Sequence, residues 1–264
     1  MAGHGQGEAI PLNVALLPPA VRPAGQVCVV VDVLRASSTM TVALGRGARH
    51  VLPVASLGEA RRLKRLLPDH LLCGERGGLP PRGFDLGNSP REFLATSLEG
   101  RGLVLTTSNG TRLLRRLEGA AAVFVGCLLN RRAVARAALT EAAARGTGLL
   151  VVCAGEGGGR RLALEDVLGA GAIVDAALAW TPAPALGEGA RLARLAFLAA
   201  AGGLTEALRS AAHGRYLVSL GLGEDVDYCA RLDAWTVVPR LERGEDGPRL
   251  VARPQGLTGA PDRA

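Results

Sequence analysis

Short runs of apolar, mostly β-branched residues alternate along the chain with longer stretches in which apolar residues recur every three or four positions. The short runs predict buried strands and the longer stretches predict helices. Strands are predicted at residues 27–33, 50–55, 70–75, 102–107, 121–127 and 148–155. Helices are predicted to follow them at residues 36–47, 56–67, 90–98, 109–117, 130–146 and 163–179. Such alternation is typical of right-handed βαβ units, so we predict an α/β fold with a mostly parallel sheet and helices on both faces.

The pattern changes beyond residue 180. The segment TPAPALGEG predicts a turn-rich linker, residues 190–212 have an alanine-rich helical pattern, and residues 213–230 predict short helices. The segments AWTVVPRL and PRLVARP predict a terminal antiparallel pair or a cover strand. We therefore expect an α/β domain at residues 1–180 that carries a site at its strand ends. Residues 181–264 are expected to form a C-terminal helical and strand cover, which can belong to the same compact unit.

Composition narrows the class of protein. The 264-residue chain is 48% hydrophobic, enough for a well-buried core, and no apolar run approaches the roughly 20 residues that span a bilayer. Its start lacks a basic segment followed by an apolar one, so we expect a cytoplasmic protein with no membrane partner. The formal charge of +7 comes almost entirely from arginine, while aromatic residues make up only 3%. Stacking platforms for single-stranded nucleic acid are therefore scarce, and we expect a small anionic ligand instead of nucleic acid.

The stretch VVVDVLRASST places polar residues directly after a predicted strand, where the ligand crevice of an open parallel sheet lies. A carboxylate at the position of Asp32 can ligate Mg²⁺ or attack phosphorus, and Arg35 can pair with an anion. The hydroxyls of Ser37, Ser38 and Thr39 and the free N–H groups of the helix start suit a phosphate or a sulfonate. In the alternative interpretation Asp32 caps the helix, the hydroxyls satisfy its first turn, and Arg35 is solvated.

The stretch TTSNGTR is the second junction between a strand and a helix. Ser108, Asn109, Gly110 and Thr111 follow one predicted strand and open the next predicted helix. Glycine lets the backbone approach a ligand closely, and the N–H groups at the helix start point towards it. We therefore expect these four residues to bind substrate, although a plain Asn-Gly turn with a threonine cap has the same sequence.

The loop CGERGGLPPRGFDLGNSP, residues 73–90, forms the third junction. Loops of this length without secondary structure are usually functional or disordered, and this one concentrates polar residues, among them Glu75, Asn88 and Ser89. We expect it to cover the crevice as a lid. Glu75 is then a candidate metal ligand, and Asn88 and Ser89 are candidate substrate contacts. The alternative is a rigid surface loop that its prolines stiffen.

The stretch CAGEGGGRRLALED is the fourth junction. Phosphatases with a thiolate nucleophile need cysteine and arginine separated by five residues, but six separate Cys153 from Arg160, which disfavours a cysteine nucleophile. Glu165 and Asp166 fall in the first turns of the next helix, where carboxylates also favour the helix dipole. Asp166 is nevertheless a candidate metal ligand. The five cysteines lie far apart and the four histidines are not paired at ligand spacing, so reduced thiols are expected and zinc is not.

Taken together, the motifs DVLRASST, GERGG with FDLGNSP, TTSNGTR, and CAG followed by LED resemble the 2-phosphosulfolactate phosphatase family. The segment HGR…L…LG…D at residues 213–225 and the VVP at residues 237–239 also fit the tail of that family. Each motif alone is weak, but five in register, from about residue 27 to residue 240, are specific. The resemblance implies an α/β enzyme that uses Mg²⁺ to hydrolyse a phosphate monoester of sulfolactate on the route to coenzyme M.

The expected mechanism leaves several roles open. Asp32 binds Mg²⁺ with help from Glu75 or Asp166, or it attacks phosphorus itself to give an aspartyl-phosphate. Arg35 and residues 37–39 would hold one anionic group of the substrate and residues 108–111 the other, and which group is phosphate and which is sulfonate stays open. The candidate catalytic residues are Asp32, Arg35, Glu75 and Asp166. Hydrolysis of another small phosphorylated acid, or anion binding without catalysis, are the alternative functions, and a homodimer is expected only because dimers are common.

Overall fold

The computed structural model describes residues 9–18, 24–180 and 183–253, which form a ten-stranded sheet with helices packed on it. The strands are β1 (Pro11–Ala15), β2 (Val27–Val31), β3 (His50–Val54), β4 (Leu71–Gly74), β5 (Gly102–Thr106), β6 (Ala122–Gly126), β7 (Leu149–Cys153), β8 (Ala185–Leu186), β9 (Val238–Gly244) and β10 (Gly247–Arg253). The helices are α1 (Ala36–Gly45), α2 (Leu57–Leu66), α3 (Pro90–Ala95), α4 (Gly110–Arg116), α5 (Arg131–Arg145), α6 (Leu164–Ala177), α7 (Glu188–Ala200), α8 (Leu204–Ser210), α9 (Ala212–Ser219) and α10 (Gly223–Cys229).

The predicted α/β architecture is confirmed. The six predicted strands and the six helices after them are β2–β7 and α1–α6, with ends that differ from the predicted ones by a few residues. Strand β2 shows why its sequence is apolar throughout: Val27, Val29 and Val31 belong to one buried cluster, and Cys28 and Val30 belong to another. The first cluster includes side chains of α5, α6 and α7, and the second includes those of α1, α3 and α4. Helices therefore cover both faces of the sheet.

The C-terminal hairpin lies in the middle of the sheet, whose strand order is β4-β5-β3-β10-β9-β6-β2-β7-β1-β8. Strands β4, β5 and β3 form one parallel group, and β6, β2, β7, β1 and β8 form a second. The antiparallel pair β9–β10 joins them, because β10 pairs with β3 and β9 pairs with β6. The predicted antiparallel pair is thus confirmed, and the alternative of a cover strand is wrong. Val238 and Leu250 are buried in different core clusters, as expected for strands inside a sheet.

Two strands were not predicted from the sequence. Strand β1 pairs with β7, but its five residues begin with proline and alternate between exposed and buried positions at the start. Strand β8 has only two residues and lies within the predicted linker, of which residues 181 and 182 fall outside the described ranges. The predicted helical region at 190–212 is confirmed as α7 and α8, with a short 3₁₀ turn between them. The predicted short helices after it are α9 and α10.

All five cysteines are buried and none is in a disulfide, as predicted. Within residues 9–18, 24–180 and 183–253, none of the helices combines the length and the apolar character that crossing a membrane requires.

Candidate active site

The carboxyl ends of β2, β4 and β5 meet at a narrow cavity of about 80 Å³. The residues singled out by the sequence that line it are Asp32, Arg35, Glu75, Asn88, Ser108 and Asn109. The other residues of the lining are Leu34, Gly77, Gly78, Thr107, His213 and Tyr216. A wider cavity of about 590 Å³ shares Asn109, His213 and Tyr216 with it, so the two adjoin. Segments that are far apart in sequence therefore converge on one cleft.

Asp32 occupies the turn between β2 and α1 and is 7% exposed. Its Oδ1 accepts a hydrogen bond from the Ala36 N–H at 3.1 Å, so it does help to cap α1. The pKa of Asp32 is raised to about 6, because burial and the Glu75 charge outweigh the N–H groups of Ala36 and Gly110 and the charge of Arg35, which lower it. The carboxyl group is thus poised to change its charge near neutral pH. Capping and lining of the cavity, which the sequence offered as alternatives, occur together.

The three hydroxyl residues after Arg35 are fully buried and are not part of the cavity lining. The Ser38 hydroxyl donates to the Val33 carbonyl at 2.8 Å, and the Thr39 hydroxyl donates to the Asn88 carbonyl at 3.0 Å. The Ser37 hydroxyl accepts a hydrogen bond from the Asp32 N–H at 2.9 Å. These side chains hold the turn and the 73–90 loop in place, and they do not line the cavity in which a ligand would bind.

Arg35 is buried, with 3% of its surface exposed, and the alternative of a solvated arginine is wrong. Its Nη1 pairs with Asp225 at 2.6 Å, and its Nη2 donates to the Gly78 carbonyl at 2.5 Å. The remaining Nε–H is buried and has no hydrogen-bond partner. A buried guanidinium with an unsatisfied donor beside a cavity is suited to bind an anion there.

The 73–90 loop contributes Glu75 and Asn88 to the cavity. The carboxylate of Glu75 accepts main-chain hydrogen bonds from Gly78 at 3.0 Å and from Ser108 at 2.8 Å, and so fastens the loop to the end of β5. The Oδ1 atom of Asn88 is buried without a hydrogen-bond partner, which leaves an acceptor available to a ligand. Ser89 does not line the cavity, because its hydroxyl caps α3 at Glu92.

In the stretch TTSNGTR, some residues line the cavity and others stabilise the turn. Ser108 and Asn109 line the narrow cavity, and the Asn109 side chain accepts a hydrogen bond from the Gly158 N–H at 2.9 Å. Thr111 is fully buried and exchanges hydrogen bonds with Thr107, which closes the turn. Gly110 abuts Asp32, since a Cβ atom added to it would lie 2.7 Å from the Asp32 carboxylate. The turn therefore requires glycine at this position.

Asp166 is buried and holds two loops together. Its Oδ1 accepts a hydrogen bond from the Val33 N–H at 2.8 Å, and its Oδ2 accepts one from the Gly155 N–H at 3.0 Å. Burial, and then the charges of Asp32 and Glu165, raise the pKa of Asp166 well above its usual range. Asp166 lines neither cavity, so its observed contacts are those of a residue that joins the ends of β2 and β7.

The neighbouring Glu165 has a carboxylate oxygen without a hydrogen-bond partner. It is 2% exposed, and this oxygen, Oε2, is buried as well. Burial, together with the charges of Glu156 and Asp32, raises its pKa to about 7. The sequence predicts for Glu165 only a favourable interaction with the helix dipole. Its place beside Asp166 in the same turn was the available signal.

Helix α9 supplies two residues of the cleft that the sequence did not assign. His213 is partly buried and lines both cavities. Burial and the charge of Arg35 lower its pKa, and the charges of Glu156 and Glu75 only partly offset this effect. Tyr216 donates its hydroxyl to the Gly77 carbonyl at 3.0 Å. The segment HGR…L…LG…D had marked this region only as similar to a family, without a role for its side chains.

The carboxylates show what kind of metal site this cleft can form. Among the residues that the structure describes, no group of three or more His, Cys, Asp and Glu side chains is placed to hold a metal ion. The predicted ligands Asp32, Glu75 and Asp166 therefore do not form a three-carboxylate site. Mg²⁺ usually binds through one or two carboxylates together with water and substrate phosphate. The candidates for that smaller donor set are Asp32, which lines the narrow cavity, and Glu165, which lines neither cavity but has a buried Oε2 atom without a hydrogen-bond partner.

Comparisons with known proteins agree with the motifs. A family model described as 2-phosphosulpholactate phosphatase matches residues 14–244. A Deinococcus radiodurans protein named "Probable 2-phosphosulfolactate phosphatase" is 42% identical over 243 residues, 92% of this chain and 98% of that protein. Proteins of the same name from Thermotoga petrophila and Symbiobacterium thermophilum are 39% and 38% identical, over 82% and 87% of this chain and 89% and 97% of their own. The resemblance is confirmed: the chain belongs to the 2-phosphosulfolactate phosphatase family.

Proposed function

We propose that this chain hydrolyses the phosphate monoester of 2-phosphosulfolactate to sulfolactate and inorganic phosphate, with Mg²⁺, as a step of coenzyme M biosynthesis. The observation that carries the proposal is the convergence of Asp32, Arg35 and Ser108 on one cavity in a chain of this family. A substrate with several negative charges needs a binding site with positive charge and hydrogen-bond donors. Arg35 supplies the buried positive charge at that cavity.

Hydrolysis of a phosphate monoester requires neutralisation of the phosphoryl oxygens and a nucleophile in line with the leaving oxygen. Arg35 is placed to hold an anionic group by charge-assisted hydrogen bonds, because its Nε–H is unsatisfied. Asn88 offers a buried acceptor oxygen, which can receive a hydrogen bond from a substrate hydroxyl or a protonated acid. The lining thus provides separate contacts for different ends of a small molecule.

Asp32 is the residue on which the chemistry depends. With a pKa of about 6, it is mostly ionised at pH 7 and can serve as a metal ligand or as a nucleophile. As a nucleophile, a carboxylate oxygen attacks phosphorus, the sulfolactate oxygen leaves and takes a proton, and water then hydrolyses the aspartyl-phosphate. Held by Asp32 and Glu165, Mg²⁺ would neutralise charge on the phosphoryl oxygens.

The test of the proposed function is phosphate release from a panel of small phosphate monoesters that includes 2-phosphosulfolactate. Asp32→Asn keeps the shape of the side chain and removes its charge, so we expect kcat to fall by about 100-fold or more. Asp69→Asn, in the exposed turn before β4, is the matched control and should behave as the parent. Hydrolysis by Asp32→Asn within a few-fold of the parent would eliminate Asp32 from both roles.

Metal removal tests the Mg²⁺ part of the proposal separately. Treatment with EDTA should abolish phosphate release, and added Mg²⁺ should restore it, because a divalent cation would balance the repelling carboxylates. Full activity after EDTA treatment and dialysis would contradict Mg²⁺ dependence and leave the phosphatase assignment standing.

A second candidate is hydrolysis of another small phosphorylated acid. The observation that favours it is the wider cavity of about 590 Å³, which exceeds what a three-carbon acid fills. Its lining includes Glu156, Arg161 and Leu162 beside the shared residues, so it combines charged and apolar groups. The same panel decides between the two, since each predicts a different preferred monoester. A homodimer, a cytoplasmic location and the lack of a nucleic-acid partner stay predictions from the sequence.

A further inference from the structure

A carboxylate outside the cleft is bonded to two parts of the site. Asp225, in the first turn of α10, is 3% exposed and lines neither cavity. Its Oδ2 pairs with Nη1 of Arg35 at 2.6 Å, and its Oδ1 accepts a hydrogen bond from the Ser89 hydroxyl, also at 2.6 Å. One side chain from the C-terminal part of the chain therefore contacts both the cavity arginine and the end of the 73–90 loop.

The bonds of Arg35 fix the direction of its free donor. A guanidinium is planar and rigid, so two fixed nitrogens determine where the third one points. Asp225 fixes Nη1 and the Gly78 carbonyl fixes Nη2 of this cavity-lining residue, and its buried Nε–H has no hydrogen-bond partner. If the ion pair with Asp225 were lost, only the hydrogen bond to the Gly78 carbonyl would hold the guanidinium group, and its plane could rotate.

Helix α9 and the residue that follows it also hold the loop at two other points. Tyr216 donates to the Gly77 carbonyl, and Leu220 packs so closely on Gly78 that an added Cβ would lie 2.8 Å from its Cδ1 atom. The loop residues that face the cavity thus rest on the same helical segment that carries Asp225. The segment from α9 to α10 therefore contacts both Arg35 and the loop.

We propose that Asp225 is a positioning residue of the anion site, which holds the Arg35 guanidinium and, through Ser89, the 73–90 loop in the arrangement that binds the anion. The proposal rests on the proposed function only in that an anion binds at Arg35. A buried ion pair generally adds little net stability over an apolar pair of the same size, because desolvation of the two charges offsets their attraction. Fixed geometry at the cavity is the property that this pair provides.

The first measurement is the affinity of the full chain for inorganic phosphate, by titration calorimetry. Asp225→Asn keeps the shape of the side chain but removes the charge that holds Arg35. We expect the Kd for phosphate to rise about ten-fold or more, as for the loss of a charge-assisted hydrogen bond. The KM for the substrate should rise with it, while kcat changes less, because Asp225 does not touch the reacting atoms.

The matched control lies two residues further along the same helix. Asp227 pairs with Arg209 through two contacts of 2.6 Å, but both partners are partly exposed and neither lines the cavity. Asp227→Asn should leave the Kd for phosphate and the KM unchanged. An equal loss in both variants would show that any ion pair of α10 has the effect, and it would contradict a specific role for Asp225.

A double-variant comparison separates positioning from a merely structural role. If Asp225 acts through Arg35, then Asp225→Asn should change the Kd by less than about two-fold in an Arg35→Ala background. Arg35→Ala also leaves the buried Asp225 charge unpaired, so the double variant should melt at a higher temperature than Arg35→Ala alone. A further ten-fold loss of affinity in the double variant would overturn the proposal that Asp225 positions the anion site through Arg35.

These measurements distinguish failure of the proposed function from failure of the positioning role of Asp225. A parent chain that binds phosphate but releases none from any monoester refutes the phosphatase, whereas the role of Asp225 is still decided by the Kd values. A Kd for Asp225→Asn within about two-fold of the parent refutes the positioning role, whatever the activity. A parent that binds no phosphate contradicts the anion site at Arg35, and with it the positioning role, whereas the phosphatase is still decided by phosphate release.

Discussion

Gly110 begins α4 directly against Asp32, so the smallest added side chain probes the candidate active site. A Cβ on Gly110 would lie 2.7 Å from Oδ2 of Asp32 and 2.8 Å from the Cβ of Ala36. Both distances are well below the roughly 3.5–4.0 Å of ordinary contact. The carboxylate cannot simply turn away, because its Oδ1 is bonded to the Ala36 N–H. Ala36 itself is fully buried in α1.

The size of the effect follows from this crowding. Overpacking a well-packed site typically costs about 1–3 kcal/mol of unfolding free energy. Each kcal/mol corresponds to a Tm lower by about 2–4 °C in a domain of roughly this size. Displacement of a reacting group by about 1 Å can lower the rate by about 100-fold. For Gly110→Ala we therefore expect a modest loss of stability and a much larger loss of kcat.

The assay is phosphate release at saturating substrate, together with thermal unfolding of the same preparations. Gly119→Ala is the matched control, because no atom lies within 4 Å of the Cβ position at Gly119, shortly after α4. It should retain the activity and the Tm of the parent. A Gly110→Ala protein with kcat within about three-fold of the parent would refute the reasoning that places the Asp32 carboxylate at the reacting centre.

Two further predictions concern histidines. The Nε2 atoms of His50 and His70 lie 2.8 Å apart; burial, with the charges of His70 and Arg49, lowers the pKa of His50 to about 4. His50 then binds fewer protons in the folded protein than in the unfolded chain between about pH 4 and 6.5, so its own contribution to stability should fall as the pH drops through that range. In urea unfolding at a series of pH values, His50→Gln should reduce this slope, and an unchanged slope would contradict the assignment. His213→Gln should raise the KM by about two- to ten-fold, as for one lost hydrogen bond, and an unaltered KM would remove His213 from the binding set.

The first junction shows how far the sequence leads to the site. An apolar strand that ends in a carboxylate, followed closely by an arginine, predicts polar groups at a sheet edge, and Asp32 and Arg35 do line the cavity. The hydroxyls of Ser37, Ser38 and Thr39 instead bond within the turn and to the neighbouring loop. Whether a hydroxyl at a helix start faces a ligand or the main chain depends on how the helix is rotated on the sheet. That rotation is a tertiary property, which the local sequence does not determine.

The residues that the sequence missed have a common cause. Asp225 reaches Arg35 across 190 positions of the chain, and no local pattern predicts a contact of that range. His213 begins the segment HGR…L…LG…D, which marked this region as similar to a family but gave the side chain no role. Glu165 and Asp166 are adjacent acids in one helical turn, yet Asp166 is bonded to two main-chain N–H groups and Glu165 keeps an unbonded oxygen. Successive helical residues point in directions about 100° apart, so neighbours of the same type acquire different roles.

The place of the β9–β10 hairpin matters for a chain that is synthesised from its N-terminus. Until residues 238–253 leave the ribosome, β3 and β6 lack the neighbours that pair with their inner sides. Unpaired edges of apolar strands are where nascent proteins aggregate, so a hairpin that is translated after all the other strands also protects β3 and β6. Glu75 and Ser108 follow strands of one parallel group, and Asp32 follows a strand of the other. The cleft therefore attains its final shape only after residues 238–253 have been translated, and a product truncated before them would lack the joint between the two parallel groups.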